Sequence, residues 1–250
     1  MEIQEINGRM PSNQTMVDIF RGRWITDYDA SCGVNGTGSA SLVDDARVGL
    51  AADALGKLGR FDGYQVLELG SLEGAHSIAF EKLGARQFCG VEPDPAAFLR
   101  SLVIKEILQS RARYACGDLL SFLRATQEEF DLIFSSGQLY ESEDPLEMIK
   151  QICLHTPRCF IWTHFHEPSV LDGREPVAFE KNGFRTTYYL PATDGKQQPG
   201  APAWMERDEI IRAFAHWGLR HAVHLGEDRE YPPGAYFNCA FSSNAAELST

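Results

Sequence analysis

Two carboxylates and two glycines fall close enough together in this chain to share one ligand. Glu68, Gly70 and Gly74 stand in QVLELGSLEG, and Glu92 ends the next apolar run, in CGVEPDP. Glycine lets backbone approach a ligand closely, and a carboxylate at a strand end accepts hydrogen bonds from ribose hydroxyls. The spacing Glu68-x-Gly70-x-x-x-Gly74 is not G-x-G-x-x-G, and Leu72 and Glu73 occupy places where a pyrophosphate needs small, uncharged backbone. The charges of Glu68 and Glu73 suit a cationic ligand better than a diphosphate.

Further candidates follow other apolar runs: Asp118 after RYAC, Ser135, Ser136 and Gly137 followed by Gln138, Tyr140 and Glu141, and His164 and His166 after RCFIWT. Asp is also a favoured helix N-cap, so Asp118 has a structural reading that does not exclude a ligand role. His164 is a candidate general base, because neutral imidazole can take a proton near pH 7; the competing reading is a histidine satisfied within the fold. His164 and His166 face one side of a strand, but nothing else completes a ligand set, so no metal is expected.

Such residues need a scaffold that gathers strand ends. Val66, Leu67 and Leu69 form a short buried-strand pattern, Ala75 to Leu83 continues as a helix, and Phe88 to Val91 makes a second strand. The alternation goes on: helix Ala96–Leu108, strand Arg113–Cys116, a helix from Leu119, strand Phe130–Ser135, helix Leu146–His155 and strand Arg158–Phe165. Strands alternating with helices predict an α/β doubly wound parallel sheet, with ligands outside the strand C-termini. Upstream, residues 1–44 are irregular apart from a short helix over Met16–Trp24, capped by Asn13 or Thr15; Asp44–Leu58 reads as helix. The first segment is either a lid that brings Trp24 to the ligand or a helix packed on the main domain. Residues 167–204 interrupt the pattern with a hairpin across Asn182-Gly183, a strong turn signal. This insertion is a natural substrate cover, in which Tyr188 and Trp204 either stack on a flat substrate or form a small core. Helix Arg207–Trp217, strands Leu219–Leu225 and Tyr236–Phe241 and a frayed tail complete the chain.

At 250 residues and 44% hydrophobic content the chain suits one large α/β domain with an insertion. Its net charge of -12 repels a phosphate backbone, so the expected partner is a small-molecule substrate and no nucleic acid. No apolar run approaches a membrane span and the N-terminus lacks a signal pattern, which favours the cytoplasm. The six cysteines are scattered without a C-x-x-C pair and read as reduced thiols. A monomer or homodimer is expected.

In order, ELGSLEG, VEPDP, GD and FDLIFSSGQLY, closed by an aromatic strand end, resemble class I S-adenosylmethionine-dependent methyltransferases over Gln65 to Trp162. ELGSLEGAHS, SSGQLY with the following Asp-Pro, and IWTHF are similar to a bacterial group related to the tRNA wobble-uridine carboxymethyltransferase branch. The sequence departs from the family pattern at Leu72, where motif I has a glycine, and at Glu141, where many relatives have histidine. The resemblance implies a seven-stranded Rossmann-like sheet with helices on both faces, spanning 45–250, with an N-terminal lid over 1–44. It implies S-adenosylmethionine as cofactor, with Gly70 and Ser71 at the methionine portion, Glu92 at the ribose, Asp118 and Leu119 at the adenine, Ser136 and Gly137 at the sulfonium, and Glu68 and Ser135 beside them. Tyr140 and His164 are then the catalytic candidates; Trp24, Gln138, Glu141, His166, Tyr188 and Trp204 are the substrate candidates. The implied function is methyl transfer to an oxygen or nitrogen of a small metabolite, in specialised biosynthesis. The alternatives are a tRNA-modifying methyltransferase and a nicotinamide-dependent Rossmann oxidoreductase. A carboxylated cofactor needs a basic residue near the methyl position, and no Arg or Lys occurs in residues 70–77 or 135–143.

Overall fold

The computed structural model describes residues 8–169, 173–191, 200–232 and 234–249. Three helices, α1 (Asn13–Asp18), α2 (Asp29–Cys32) and α3 (Ala46–Leu55), precede the first strand. The alternation then runs β1 (Gln65–Leu69), α4 (Ala75–Lys82), β2 (Gln87–Glu92), α5 (Pro95–Leu108), β3 (Arg113–Cys116), α6 (Leu119–Ala125), β4 (Leu132–Ser136), α7 (Pro145–His155) and β5 (Arg158–His164). A hairpin of β6 (Arg174–Lys181) and β7 (Phe184–Pro191) follows, and α8 (Arg207–His216), β8 (His221–Asp228) and β9 (Tyr236–Ser242) close the fold.

Seven strands form one sheet in the order β3-β2-β1-β4-β5-β9-β8. The pairings from β3 to β5 are parallel, and β9 runs antiparallel to both neighbours. Strand order reverses between β1 and β4, which is where a doubly wound sheet opens its ligand crevice.

Both sheet faces are covered, as the unbroken apolar runs of β1, β4 and β5 require. On one face Val48 and Leu55 of α3 and Phe80 of α4 pack with Val66, Phe88, Phe134 and Phe160. On the other, Leu123, Ile149, Ile152 and Phe214 from α6, α7 and α8 meet Leu67, Ile133, Ile161 and Phe241. Helix starts at the crevice edge share one device: Asp94, Asp118 and Asp144 cap α5, α6 and α7 by accepting backbone N–H groups.

The structure differs from the sequence reading in three places. The first helix covers Asn13–Asp18 rather than Met16–Trp24, because Ser12 caps it by accepting Thr15 N, and the chain turns at Gly22 (φ +74°). The tail is not frayed throughout: Ala245–Glu247 form a 3-10 turn, and Glu247 pairs with Arg158 at 2.6 Å. The hairpin forms across Asn182 (φ 48°) and Gly183 (φ 80°), but it docks on α7 and α8 through Phe184, Tyr188 and Leu190. Its described residues add nothing to the crevice lining; residues 192–199 of the insertion lie outside the described ones.

Candidate active site

The crevice opens at the β1–β4 reversal. Its walls include Glu68, Gly70, Ser71, Glu92, Ser136, Gly137, Gln138, Tyr140 and Glu141, so the structure brings most of the sequence candidates together. Gly70 N and Ser71 N both donate to Val91 O, at 2.9 and 3.2 Å, which ties the loop to the neighbouring strand. Gly70 has φ +74°, and a Cβ there would come within 2.2 Å of the Gln138 side chain. Leu72, standing where the family has glycine, takes the left-handed conformation glycine would take (φ 48°). That geometry costs about 1–2 kcal/mol in an L-residue. A hydrogen bond from Leu72 N to Glu92 Oε2 at 2.6 Å holds it there. Glu92 Oε1 accepts from Asp94 N at 2.8 Å, and burial pushes this carboxyl above its usual range.

Glu73 has a different job from the one its charge suggested. Its fully buried carboxylate accepts Ile25 N (3.0 Å), Thr26 N (2.8 Å) and Arg100 Nε (2.6 Å). Tyr28 OH donates to Glu73 O at 2.8 Å. The glycine loop is thereby pinned to the N-terminal segment, and Thr26 and Leu42 of that segment reach the crevice wall.

Sequence reasoning missed the cation in the crevice. Arg47, on α3, donates through Nη1 to Ser136 Oγ at 2.6 Å, and its Cζ lies 5.2 Å from the Trp162 ring centroid. Asp45, the N-cap of α3, grips the same guanidinium at Nε, 2.8 and 2.9 Å away. Asp45 Oδ2 also lies 3.0 Å from His76 Nε2, and His76 Nδ1 lies 2.5 Å from Glu68 Oε1. Burial alone would lower the His76 pKa; the Glu68 charge and the hydrogen bonds to Asp45 and Glu68 outweigh it and raise it to about 9. No local sequence signal pointed to Arg47, because the contact spans the chain.

Two buried oxygens of the crevice wall, Glu68 Oε2 and Ser71 Oγ, have no hydrogen-bond partner among the described residues; Ser135, another sequence candidate, is buried in β4 and does not line the crevice. Buried polar atoms are normally paired, so the two wall oxygens fit a polar ligand that supplies the missing partners. Asp118 and Leu119 line an adjoining cavity with Pro93, and Gln138 and Glu141 border both spaces. Asp118 also caps α6 through Ser121 N at 2.7 Å, as its structural reading allowed.

Beyond Ser136 the wall becomes aromatic. Tyr140 lies 6.0 Å from Trp162, which lies 5.3 Å from Tyr236, and Tyr231 packs 5.1 Å from Tyr236. Burial, with the Glu141 charge, raises the Tyr140 phenol pKa. His164 stands behind this wall, 4.5 Å from the Tyr140 ring and stacked on Trp204. Its Nδ1 faces the carbonyl oxygens of Gly234 (2.8 Å) and Ala235 (3.2 Å), so that nitrogen carries the hydrogen.

Several sequence candidates sit elsewhere. Trp24 packs against Phe20 and Tyr28 and donates to Val17 O at 3.0 Å. Tyr188 is buried, with its hydroxyl donating to Asp144 Oδ1 at 3.0 Å. His166 stacks on Tyr189 at 3.6 Å beside a separate recess with Arg207 and Arg229. Trp204 is buried against His164, with Arg174 Cζ 3.8 Å from its centroid. These rings are core or support: Trp24 packs in the cluster that includes Ile104 of α5, and Tyr188 in the one built from α7 and α8, while other residues of the N-terminal segment reach the crevice. Among the described residues no group of three His, Cys, Asp or Glu is arranged to hold a metal, and no helix is long and apolar enough to cross a membrane.

No family model matches the chain. Curated relatives include the tRNA U34 carboxymethyltransferases of Alteromonas mediterranea, 29% identical over 142 residues (53% of this chain, 42% of the relative), and of Campylobacter hominis, 30% identical over 92 residues (36% and 31%). The chain thus spans less than half the length of these relatives. A third, from Trichlorobacter lovleyi, carries the same name. These names correct the expectation of a small-molecule partner and no nucleic acid, since the relatives act on tRNA; net charge over the whole chain says too little about one local surface to exclude such a partner. Among solved structures, the N-terminal domain of EvdMO1 in the presence of SAH and D-fucose matches with a TM-score of 0.61 at 18% identity, covering 84% of this chain and 86% of that one. Magnesium protoporphyrin IX methyltransferase (ChlM) from Synechocystis PCC 6803 with bound SAH gives 0.53 at 17%, covering 80% and 81%. CalS10 from Micromonospora echinaspora, an amino pentose methyltransferase with SAM bound, gives 0.50 at 16%, covering 82% and 92%. With its seven-stranded sheet and the reversed, antiparallel β9, the chain has the Rossmann-like fold of the class I methyltransferases.

Proposed function

We propose that the crevice binds S-adenosylmethionine and that the protein is a methyltransferase. The observation that carries this reading is the pair of unpaired buried oxygens of Glu68 and Ser71 on the crevice wall at the sheet's reversal point, beside the strand-end carboxylate of Glu92. When bound, S-adenosylmethionine supplies an electrophilic methyl on a sulfonium. Gly70 and Ser71 hold its methionine portion, Glu92 the ribose, and Asp118 with Leu119 the adenine; Ser136 and Gly137 border the sulfonium. Each Glu92 oxygen accepts one backbone N–H and keeps a second lone pair for a ribose hydroxyl. The acceptor oxygen or nitrogen approaches past Tyr140 and Trp162. Tyr140, a protonated phenol at neutral pH, orients the acceptor as a hydrogen-bond donor, and His164 braces the Tyr140 ring from behind. The N-terminal segment closes one edge of the crevice through Thr26 and Leu42. Unpaired cysteines are consistent with a reducing compartment, so we place the reaction in the cytoplasm.

A second reading is favoured by Arg47. The relatives' names specify a carboxymethyl group, whose carboxylate needs a cation, and Arg47 reaches the crevice from α3. On that reading the transferred group is carboxylated and the acceptor is tRNA. Calorimetric titration with S-adenosylmethionine and with its carboxylated analogue, followed by transfer assays on tRNA, separates the two. Preference for the plain cofactor supports methyl transfer; preference for the analogue, lost in R47M, supports carboxymethyl transfer; binding of neither contradicts both.

A further inference from the structure

His76 touches two carboxylates at once, and the chemistry of that bridge has a consequence for the crevice cation. Its Nδ1 lies 2.5 Å from Glu68 Oε1 on β1, and its Nε2 lies 3.0 Å from Asp45 Oδ2 at the start of α3. His76 is 8% exposed. Each ring nitrogen faces a carboxyl oxygen, an arrangement in which an imidazolium donates from both sides. A neutral ring has one donor and would turn a lone pair toward Glu68 or Asp45, opening the bridge on that side. Asp45 is the residue that holds Arg47, whose guanidinium in turn reaches Ser136 and Trp162.

We propose that His76 is a positioning residue: as a double donor between Glu68 and Asp45, it fixes Asp45, and through it sets the Arg47 guanidinium at the reacting end of the crevice. The role given to that end rests on the proposed function; the chain of contacts does not. The groups around His76 are consistent with this assignment. Phe134 on β4 meets the ring edge at 5.2 Å and is uncharged. Tyr114 on β3 donates to Ser77 Oγ and Gly74 O at the start of α4 and carries no charge. Glu73 and Glu92 line the same crevice, but one is held by Arg100 and the other by backbone N–H groups. The four linked side chains Glu68, His76, Asp45 and Arg47 therefore balance their charges within one line, and losing the His76 proton leaves that line with an unmatched carboxylate.

The test is nitrogen-15 NMR of the full chain, following the His76 ring nitrogens, the Arg47 Nε–H and the Trp162 indole across a pH titration. The expected result is a doubly protonated His76 at pH 7, with the Arg47 and Trp162 signals moving together with it as the pH rises through about 9. H76Q should move the Arg47 and Trp162 signals at pH 7. D45N, which keeps a good helix cap, should move them at every pH and remove their common titration. A neutral His76 at pH 7, or Arg47 signals that ignore both substitutions and the titration, overturns the proposal. Binding of S-adenosylhomocysteine is measured in parallel on the unmodified protein. Its absence would count against the cofactor reading and leave the NMR result to stand or fall alone.

Discussion

Arg47 Nη1 donates to Ser136 Oγ at 2.6 Å across 89 positions of sequence, joining the helix before β1 to the end of β4. That contact puts a cation where the resemblance in the glycine loop and the post-β4 segment offered none. Replacing Arg47 by Met should lower the transfer rate about 10- to 150-fold, in line with roughly 1.5–3 kcal/mol for a hydrogen bond to a charged group. S-adenosylhomocysteine, which lacks the transferred group, should still bind nearly as well. A full-rate variant would show that the guanidinium does not face the reacting groups.

Glu92 has a more direct part. E92A removes the carboxylate expected to hold the ribose and also frees Leu72 N from its 2.6 Å hydrogen bond. Calorimetry should find S-adenosylhomocysteine binding about 10- to 100-fold weaker. Undiminished affinity would remove Glu92 from the cofactor site.

How far the sequence carried this reading depends on the range of each interaction. The apolar runs of β1, β4 and β5, the strand-end carboxylate Glu92, the Asp118 cap and the Asn182-Gly183 turn are local features, and all were legible. Leu72 was half legible: its departure from glycine was plain, but its left-handed backbone depends on Glu92, 20 residues on. Glu73 read as loop charge because its partner, Arg100, lies on another element 27 residues away. Trp24, Tyr188 and Trp204 could not be sorted, because a buried ring and a ligand-stacking ring have the same sequence signature. Only their burial, set by how the N-terminal segment and the hairpin dock, separates them.

The Glu73–Arg100 pair predicts a stability effect distinct from binding. E73Q leaves Arg100, only 5% exposed, without its counter-charge, and frees Ile25 N and Thr26 N from a carboxylate. Breaking one side of a buried pair costs about 3–5 kcal/mol. Urea unfolding should show a loss of that order, partly recovered when Arg100 is also made Met. A loss well under 1 kcal/mol would mean that solvent reaches the pair.

Stability should also depend on pH through His76. Its folded-state pKa, about 9, is raised above its ordinary value of 6.5. A raised pKa means that the folded state holds the proton more tightly. The stabilisation is therefore complete below pH 6.5 and is lost as the pH rises through about 9. Urea midpoints measured between pH 6 and pH 10 should fall across that window in the native protein more steeply than in H76Q. Parallel profiles would contradict a charged His76.

On the proposed function, the reversal point of the sheet holds an adenosyl cofactor through Glu68, Ser71 and Glu92. The most direct measurement is calorimetric titration of the purified chain with S-adenosylhomocysteine, with NADH in a matched cell. The first ligand should give saturable one-to-one heat and the second none. Heat from NADH with silence from S-adenosylhomocysteine would contradict that function.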